Sequence, residues 1–437
     1  MRTIVLGPPG TGKTTTLLNK VDDYLKKTDP NKIGYFAFTQ KAANHARDEA
    51  IKKFNLTEND LPYFRTIHSL AFRKLGLKKD QVMQSSHYKD LGKKIGFPVS
   101  YASHQEDHGI FTSDSEYLQI IQLARLRNIT PEQQYNRREH TQDLEFDKLN
   151  IIYEELKRYK KEYNLIDYND MILNFIKSDL SPKFDVVFID EAQDLSPMQW
   201  DMAKSIWKKT EDAFIAGDDD QAIFKWAGAD VNSFIALQDQ MINLALTQSH
   251  RVPIKVHQIA MGIINRIKHR INKTWKPKTN EGSLHRHFEV DSVDMSSGEW
   301  LILARTKHML QDVEDTLYRK GLYYKTKNKR NYEKDIQDSA INWEHLRKGQ
   351  PLTYKQVEKI YGYMSPNHTN KSSLYGMTKG AFYNIDQLTK DFGLSTKKVW
   401  YEAFDDAGSR RVEYLRKMRA NGEQLNKEPR IELSTIH

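Results

Sequence analysis

The clearest chemical signal in the chain lies near its start. Nine consecutive residues carry it: Gly7, Pro8, Pro9, Gly10, Thr11, Gly12, Lys13, Thr14 and Thr15. They contain the spacing G-x-x-x-x-G-K-[ST], in which glycines let backbone N–H groups face the oxygens of a phosphate. The lysine of such a stretch reaches the β and γ phosphates, and the hydroxyl that follows it ligates Mg²⁺. The stretch therefore predicts a nucleoside triphosphate site, with Lys13 on the phosphates and Thr14 on the metal.

Two acids follow an apolar stretch much later in the chain. Residues 185–189 are typical of a buried strand and lead directly into Asp190 and Glu191. Carboxylates at the C-terminal end of such a strand lie where open α/β sheets bind ligands. We expect Asp190 to hold Mg²⁺ and Glu191 to deprotonate the water that attacks the γ-phosphate. A solvated acidic loop is the alternative, which the phosphate-binding stretch makes less favourable.

A third polar stretch, residues 217–228, also follows an apolar strand and combines an amide with two aromatic rings. The amide of Gln221 can sense a γ-phosphate, while Phe224 and Trp226 can stack on nucleobases of any sequence. Composition alone favours a core position for these rings, because a tryptophan is more often buried.

The elements that must position these groups alternate between strands and helices. Early strands are predicted at residues 2–6, 33–38 and 62–65, and each precedes a helical pattern, as in a parallel α/β sheet. Later in the chain we predict a helix over 253–270 and strands over 282–290 and 300–305. Two other stretches, 74–181 and 331–429, are polar and helical, and we interpret them as insertions. An apolar stripe along 147–163 is more typical of core than of a ligand site.

Composition limits the function classes. The 437 residues include no cysteine, which excludes disulfides, thiol nucleophiles and cysteine-ligated metals. The net charge of +9 suits a polyanionic partner, although it favours one only modestly. No apolar run approaches the length of a membrane span, so we expect no membrane contact and a cytoplasmic location, in the host cytoplasm if the protein is phage-encoded.

In their order along the chain, these motifs resemble those of the UvrD/Rep/PcrA type of superfamily 1A DNA helicases. The matching stretches are residues 7–14 (motif I), 38–43 (Ia), 66–69 (Ib), 190–194 (II), 217–228 (III), 248–251 (IV), 303–306 (IVa) and 433–437 (the opening of V).

The resemblance implies roles for individual residues. The catalytic groups would be Lys13, Glu191, Gln221 and Arg251. ATP would also contact His250, and Mg²⁺ would be held by Thr14 and Asp190. Residues that would contact nucleic acid are Phe38, Thr39, Lys41, Thr66, His68, Phe224, Trp226, Thr435 and His437.

The resemblance also implies a fold: α/β, with two RecA-like P-loop domains in tandem, each carrying a mainly helical insertion. The first domain would comprise residues 1–73 and 182–242, with its insertion at 74–181. The second domain, which we expect to be incomplete, would comprise 243–330 and 430–437, with a short insertion at 331–429.

The implied activity is ATP-driven 3′→5′ translocation along single-stranded DNA with separation of duplex, in replication, repair or recombination. The implied partners are single-stranded DNA and single-strand/duplex junctions, bound by a monomer or weak oligomer. Two alternatives stay open. One is a related motor directed to RNA, and the other is a nucleic-acid-binding module that binds ATP without turnover.

Four features depart from the family pattern. Met1 lies too close to Gly7 for an upstream glutamine motif, and His250 stands where the family has an adenine-stacking tyrosine. Motif V is cut after His437, which leaves no motif VI, and the second insertion is short. We therefore expect a compact, phage-type member in truncated form that binds ATP and single-stranded DNA but hydrolyses ATP at or near background.

Overall fold

The computed structural model describes residues 1–99, 113, 115–137, 144–326, 329–330, 334–424 and 427–436. The chain divides into two compact units, residues 1–284 and 285–437. No helix in these described ranges is both long enough and apolar enough to cross a membrane.

A parallel sheet of six strands lies at the centre of the first unit. Its strands are β1 (Arg2–Leu6), β2 (Ile33–Ala37), β3 (Phe64–Thr66), β4 (Val186–Asp190), β5 (Asp212–Gly217) and β6 (Ile242–Ala245). Their spatial order is β3-β2-β4-β5-β1-β6, and every neighbouring pair is parallel. β2 and β4 are buried along their whole length, as expected for central strands with helices on both faces.

The helices of the first unit follow or interrupt this strand series. They are α1 (Lys13–Leu25), α2 (Gln40–Phe54), α3 (Ile67–Lys74), α4 (Ser85–Ile95), α5 (Glu116–Leu126), α6 (Pro131–Asn136), α7 (Phe146–Glu162), α8 (Tyr168–Lys177), α9 (Pro197–Lys208), α10 (Val231–Ile235) and α11 (Ile254–Ile264). The α/β fold predicted from the sequence is confirmed for this unit.

Helices α4 to α8 lie between β3 and β4 in sequence, where the sequence predicts a helical insertion. The stripe on α7 packs in a separate core cluster through Leu149, Ile152, Leu156 and Tyr159. A buried ion network links α5, α7 and α8. In it Arg125 and Lys160 both contact Asp167, at 2.6 and 2.8 Å, and both also contact Asp170.

The sequence places the start of a second α/β domain at residue 243, and the structure differs there. Ile242–Ala245 pairs with β1 as an edge strand of the first sheet, and residues up to Leu284 pack within the first unit. Hydrogen bonding to β1 therefore overrides the predicted boundary. The rest of the domain division stays a prediction.

Two predicted elements near this point also differ. Helix α11 ends at Ile264 instead of residue 270, because the following segment turns back to bond to the loop after β5. The predicted strand over 282–290 does not form. Its sequence is rich in charged and polar residues, and Phe288 is fully exposed.

The second unit contains a four-stranded sheet in the order β7-β12-β8-β9 and a separate two-stranded ribbon, β10-β11. The strands are β7 (Trp300–Ala304), β8 (Tyr324–Thr326), β9 (Lys329–Arg330), β10 (Leu352–Thr353), β11 (Phe382–Tyr383) and β12 (Ile431–Thr435). β12 is parallel to both β7 and β8, and β9 is antiparallel to β8.

Six helices complete the described part of this unit: α12 (Gln311–Lys320), α13 (Lys334–Arg347), α14 (Tyr354–Gly362), α15 (Ile385–Asp391), α16 (Trp400–Ala403) and α17 (Ser409–Ala420). Helix α12 ends on Gly321 in the left-handed conformation, the C-cap that the sequence predicts. Helices α13 to α17 lie between β9 and β12 and contribute to one core cluster. Trp343 of α13 is fully buried in it, and its indole N–H donates to the Lys398 carbonyl.

We predict that Arg125→Met lowers the free energy of unfolding of the first unit by about 3 kcal/mol, because buried Asp167 loses one of its two cations. Chemical denaturation followed by circular dichroism would measure the change. Arg158→Met is the matched control, since Arg158 is exposed and its pair with Glu155 should contribute less than about 1 kcal/mol. Equal losses in the two variants would contradict the importance of the buried network.

Candidate nucleotide site and nucleic-acid surface

The phosphate-binding stretch forms the turn between β1 and α1. Gly10 and Gly12 adopt φ angles of 72° and 82°, a region that favours glycine, and Gly12 is the N-cap of α1. Lys13 is the first residue of α1, and its Nζ donates to the Gly7 carbonyl at 3.1 Å. A Cβ at Gly7 would lie 2.0 Å from the Lys13 side chain, so the lysine can fold back only over a glycine. The loop and the helix N-terminus together offer a positively polarised concavity for phosphate.

Three donors converge on the buried carboxylate of Asp190. Thr14 Oγ1 and the Tyr35 hydroxyl donate to Oδ2 at 2.8 and 2.9 Å, and the Glu191 amide donates to Oδ1 at 3.0 Å. Burial, and next the charge of Glu191, raise the pKa of Asp190. A hydroxyl and a carboxylate in contact match the oxygen ligands that Mg²⁺ takes beside a phosphate. The donor set therefore fits the predicted metal, which Thr14 and Asp190 would hold.

Glu191 follows Asp190 in a strained backbone conformation. Its φ of 53° is left-handed, which for a residue other than glycine costs of order 1 kcal/mol or more. Its Oε2 accepts from Gln193 Nε2 at 2.9 Å and lies 3.8 Å from Lys13 Nζ. The turn thus points the carboxylate toward the phosphate-binding lysine, where a base for the attacking water would be needed.

Gln193 connects this acid to the loop after β5. Its Nε2 donates to Glu191, and also to Asp194 Oδ2 at 3.3 Å, while its Oε1 accepts the Asp218 amide at 3.1 Å. A Cβ at Gly217 would lie 2.7 Å from Oε1, so the contact depends on a glycine at that position. In the same loop, Gln221 Nε2 donates to Asp218 Oδ2. One amide side chain therefore links Glu191 to the loop that carries Gln221.

The three consecutive acids of this loop contact two cations from a segment outside the recognised motifs. Lys273 is 3% exposed, and its Nζ contacts Asp218 at 3.0 Å, Asp220 at 2.8 Å and Asp219 as well. Arg270 makes two bonds of 2.7 Å to Asp220. The three carboxylates lie close enough together to hold a metal ion, but Lys273 contacts all of them. We interpret the cluster as an ion network that shapes the loop.

The predicted ATP contacts His250 and Arg251 lie against the phosphate-binding loop. Buried Ser249 donates from Oγ to the Pro9 carbonyl at 2.7 Å, and the His250 amide donates to the Gly10 carbonyl at 2.9 Å. The side chains of His250 and Arg251 are exposed. A Cβ at Gly10 would lie 2.4 Å from the Cβ of Arg251, which shows how closely the two backbones approach. Both residues are therefore near the site, although their contacts with ATP stay a prediction.

The predicted nucleic-acid residues of the first unit divide into helix caps and rings. Thr39 caps α2 and Thr66 caps α3, through bonds to the amides of Ala42 and Ser69. Phe38, Thr66 and His68 line one cavity of about 600 Å³ between the sheet and the helical insertion. Burial lowers the pKa of His68 to about 4, so its imidazole is neutral and offers no positive charge to a phosphate.

The aromatic residues form a short series of rings that ends at the surface. Ring centroids are 5.8 Å apart between Phe38 and Phe224, and 6.5 Å apart between Phe224 and Trp226. Phe38 is buried, whereas Trp226 is 46% exposed, so the structure does not give Trp226 the core position that composition favours. Lys41 is exposed at the start of α2. Trp226 is thus the ring that a nucleobase could reach.

Two predicted contacts lie elsewhere. Thr435 is the last residue of β12 in the second unit, and His437 lies outside the described residues.

A sequence profile described as the UvrD/REP helicase N-terminal domain matches residues 1–242, more than half of the chain. The chain belongs to the UvrD/REP helicase family. This confirms the resemblance inferred from the motifs and assigns the β1–α1 loop and the acids after β4 to a region that the family shares.

Similarity to curated relatives extends beyond this region. The chain is 23% identical over 299 residues to the ATP-dependent DNA helicase Rep of Buchnera aphidicola, covering 64% of this chain and 45% of that protein. It is 25% identical over 320 residues to the probable DNA helicase II homolog of Mycoplasma genitalium, covering 69% and 40%. It is 21% identical over 374 residues to the ATP-dependent DNA helicase PcrA of Bacillus subtilis, covering 74% and 48%. The chain spans about half the length of the curated relatives it matches.

Sequence reasoning missed several side chains at this UvrD/REP-family site. Tyr35 lies in a strand that the pattern predicts only as buried, and nothing in its spacing signals a bond to Asp190. Arg270 and Lys273 lie some 50 residues from the acids they neutralise. The sequence signals them only through charge. Three consecutive aspartates at residues 218–220 require nearby cations if they are buried, but the pattern does not show which cations these are.

Asp194 predicts a pH dependence of stability. Burial, and next the charge of Glu191, raise the pKa of Asp194 to about 8, against about 4 in an unfolded chain. The folded state therefore retains a proton that the unfolded state loses, so the stability that Asp194 contributes is fully present below about pH 4 and is lost as the pH rises toward 8.

We predict that Asp194→Asn removes this decline. The difference in free energy of unfolding between the variant and the unmodified protein should increase in favour of the variant by up to about 1.4 kcal/mol per pH unit between pH 5 and 8. Denaturant titrations at several pH values, without nucleotide, would measure it. Parallel pH profiles for the two proteins would show that Asp194 is ionised in the folded state.

Proposed function

We propose that this chain carries the ATP-dependent motor of a DNA helicase that moves along single-stranded DNA. The observation that supports this most is the chain of contacts from Lys13 and Glu191 through Gln193 to the loop of Gln221, which also carries the exposed Trp226. Groups placed to act at a γ-phosphate and a ring that can stack on a base are thereby linked by short, specific contacts. The printed names of the relatives as ATP-dependent DNA helicases support the same proposal.

In this proposal the first unit binds the triphosphate of ATP. Amides of the β1–α1 loop and Lys13 hold the phosphates, and Thr14 and Asp190 hold Mg²⁺, which when bound neutralises charge on the β and γ phosphates. Glu191 orients and deprotonates the attacking water. Arg251, exposed beside Gly10, supplies a further positive charge to the transferring phosphoryl group.

The proposed coupling runs through Gln221 and Gln193. When a γ-phosphate binds or leaves, the contacts of Gln221 with Asp218 change, and the same loop carries Phe224 and Trp226. A small shift at the phosphate can thus alter the position of the aromatic rings. Translocation in the 3′→5′ direction, separation of duplex, and a place in replication, repair or recombination extend this proposal.

The proposal predicts different defects for two variants of the nucleotide site. Lys13→Ala should weaken ATP binding, because the charge on the β and γ phosphates is lost. Glu191→Gln should bind ATP normally, but any hydrolysis stimulated by single-stranded DNA should fall by on the order of 10²–10⁴-fold or to background, because only the base is removed. A fluorescent ATP analogue would measure binding, and phosphate release would measure hydrolysis. Equal losses of nucleotide affinity would assign Glu191 a structural role instead.

Hydrolysis should be compared with single-stranded DNA, single-stranded RNA and no nucleic acid. Stimulation by DNA above both other conditions is expected, even where the basal rate is close to background. Stimulation by RNA alone would assign the motor to RNA, and nucleotide binding without any stimulation would indicate a binding module.

The proposal also predicts a role for Trp226 in stacking. Trp226→Ala should weaken single-stranded DNA binding by about 1–3 kcal/mol with little dependence on base sequence, and should leave the salt dependence unchanged. Fluorescence anisotropy with labelled oligonucleotides of different sequence would measure this. Phe288→Ala, which removes an exposed ring from the second unit, is the control. An unchanged affinity in Trp226→Ala would exclude stacking at this position.

A further inference from the structure

Arg65 is a half-buried cation without an acidic partner. It is the central residue of β3, immediately before the N-cap of α3. Its Nη1 contacts Ser69 Oγ at 3.3 Å, and its Nε is buried and makes no hydrogen bond to any described residue. Within the described chain, no carboxylate lies within ion-pair distance of Arg65 or of Arg73. A buried guanidinium is normally paired, so this arrangement is unfavourable in isolation.

The surroundings of Arg65 increase this cost. Burial, and next the charge of Arg73, lower the pKa of Arg65 to about 10. Arg47 acts in the same direction, while Tyr63 and Glu58 act in the opposite direction without reversing the shift. The group therefore remains charged at neutral pH. The positive end of the α3 dipole also lies beside it, which disfavours a cation at this position. Like charges and a helix N-terminus thus converge on one point, and all of them favour an anion.

The cavity of about 600 Å³ that contains Phe38 and His68 is also lined by Arg65, Arg73 and Lys79. Two acids among its lining residues are already neutralised, Glu58 by Arg47 at 2.7 Å and Asp167 by Arg125 and Lys160. His68 is neutral. The cavity therefore has excess positive charge that no described side chain balances.

We propose that Arg65 and Arg73 form a binding site for a backbone phosphate of single-stranded nucleic acid. A guanidinium presents two parallel N–H donors that match two phosphate oxygens, and it is less strongly hydrated than an ammonium. A phosphodiester supplies the missing negative charge without adding a metal or a proton. This inference rests on the proposed function, since it assigns a contact within the nucleic-acid surface of the first unit.

The test compares Arg65→Met with Arg2→Met. Methionine retains most of the apolar stem and removes the charge. Arg2 is exposed at the N-terminal end of β1, whereas Arg65 lies near the C-terminal end of β3, and three strands separate β3 from β1 in the sheet order β3-β2-β4-β5-β1. Binding of a fluorescein-labelled oligodeoxythymidylate is measured from 50 to 300 mM salt, and thermal unfolding is measured without ligand.

We expect Arg65→Met to weaken binding by about tenfold at the lowest salt and to reduce the slope of log affinity against log salt by about 0.7, the value of one phosphate contact on a single strand. Adding Arg73→Met should reduce the slope further, and Arg65→Lys should restore part of it. The Tm of Arg65→Met without ligand should be unchanged or higher, since an unfavourable charge is removed. Arg2→Met should match the unmodified protein in slope.

The outcomes separate this inference from the proposed function. If the unmodified protein fails to bind the oligonucleotide, both are overturned. If it binds but Arg65→Met retains its salt slope, the inference alone is overturned, and a lowered Tm in that variant would then assign Arg65 a structural role. A further experiment measures thermal unfolding with inorganic phosphate added at constant ionic strength. Stabilisation by free phosphate, with an unchanged oligonucleotide slope in Arg65→Met, would identify a site for a free anion and overturn the backbone assignment.

Discussion

The adjacency of three parallel strands is the constraint on which the rest of the site depends. β4, β5 and β1 are neighbours in the sheet although long stretches of chain separate them, and because they are parallel their C-terminal ends share one edge. Leu6 pairs with Gly217, and the Gly7 amide donates to the Gly217 carbonyl at 3.1 Å. The phosphate-binding loop, the acids at the end of β4 and the loop of Gln221 therefore lie next to one another at this edge of the sheet.

This edge concentrates negative charge, and the structure offsets it with specific donors. Asp190 is stabilised by hydroxyls and an amide, Glu191 by Gln193 and the nearby Lys13, and Asp218 to Asp220 by Lys273 and Arg270. Asp190 and the three aspartates of residues 218–220 are buried enough that their loss of solvation must be offset locally, whereas Glu191 is partly exposed. Asp194, whose Oδ1 has no partner among the described residues, is the exception, and it is neutral instead. Charge balance at this edge is thus achieved in two ways, by pairing and by protonation.

How far the sequence predicts this depends on the distance over which each signal acts. The β1–α1 loop, its lysine, and the acids at the end of β4 follow from short contiguous patterns, and the structure brings them to one edge of the sheet. The strand at Ile242–Ala245 reads as the start of a new domain, because nothing local shows that it pairs with β1. The helix predicted to reach residue 270 ends at Ile264, because the ion pairs of Arg270 and Lys273 with a distant loop outweigh helix propensity. Distant partners that lie outside any motif, such as Arg270 and Lys273, are what pattern reasoning could not supply.

Arg65, which is half-buried, and Lys273, which is buried, show two opposite uses of a cation in the same unit. Lys273 is surrounded by three carboxylates, so its charge is compensated and its removal would leave the loop of Gln221 with uncompensated acids. Arg65 lies near other cations and a helix N-terminus and makes no ion pair with a described carboxylate, so its charge is only weakly compensated. The first arrangement fixes a loop in the folded protein. The second carries an unfavourable charge that an anionic ligand can relieve, and such a cost persists only where the surrounding fold is stable enough to bear it. The burial of a cation therefore indicates a site for an anionic ligand only where the protein itself supplies no carboxylate to pair with it.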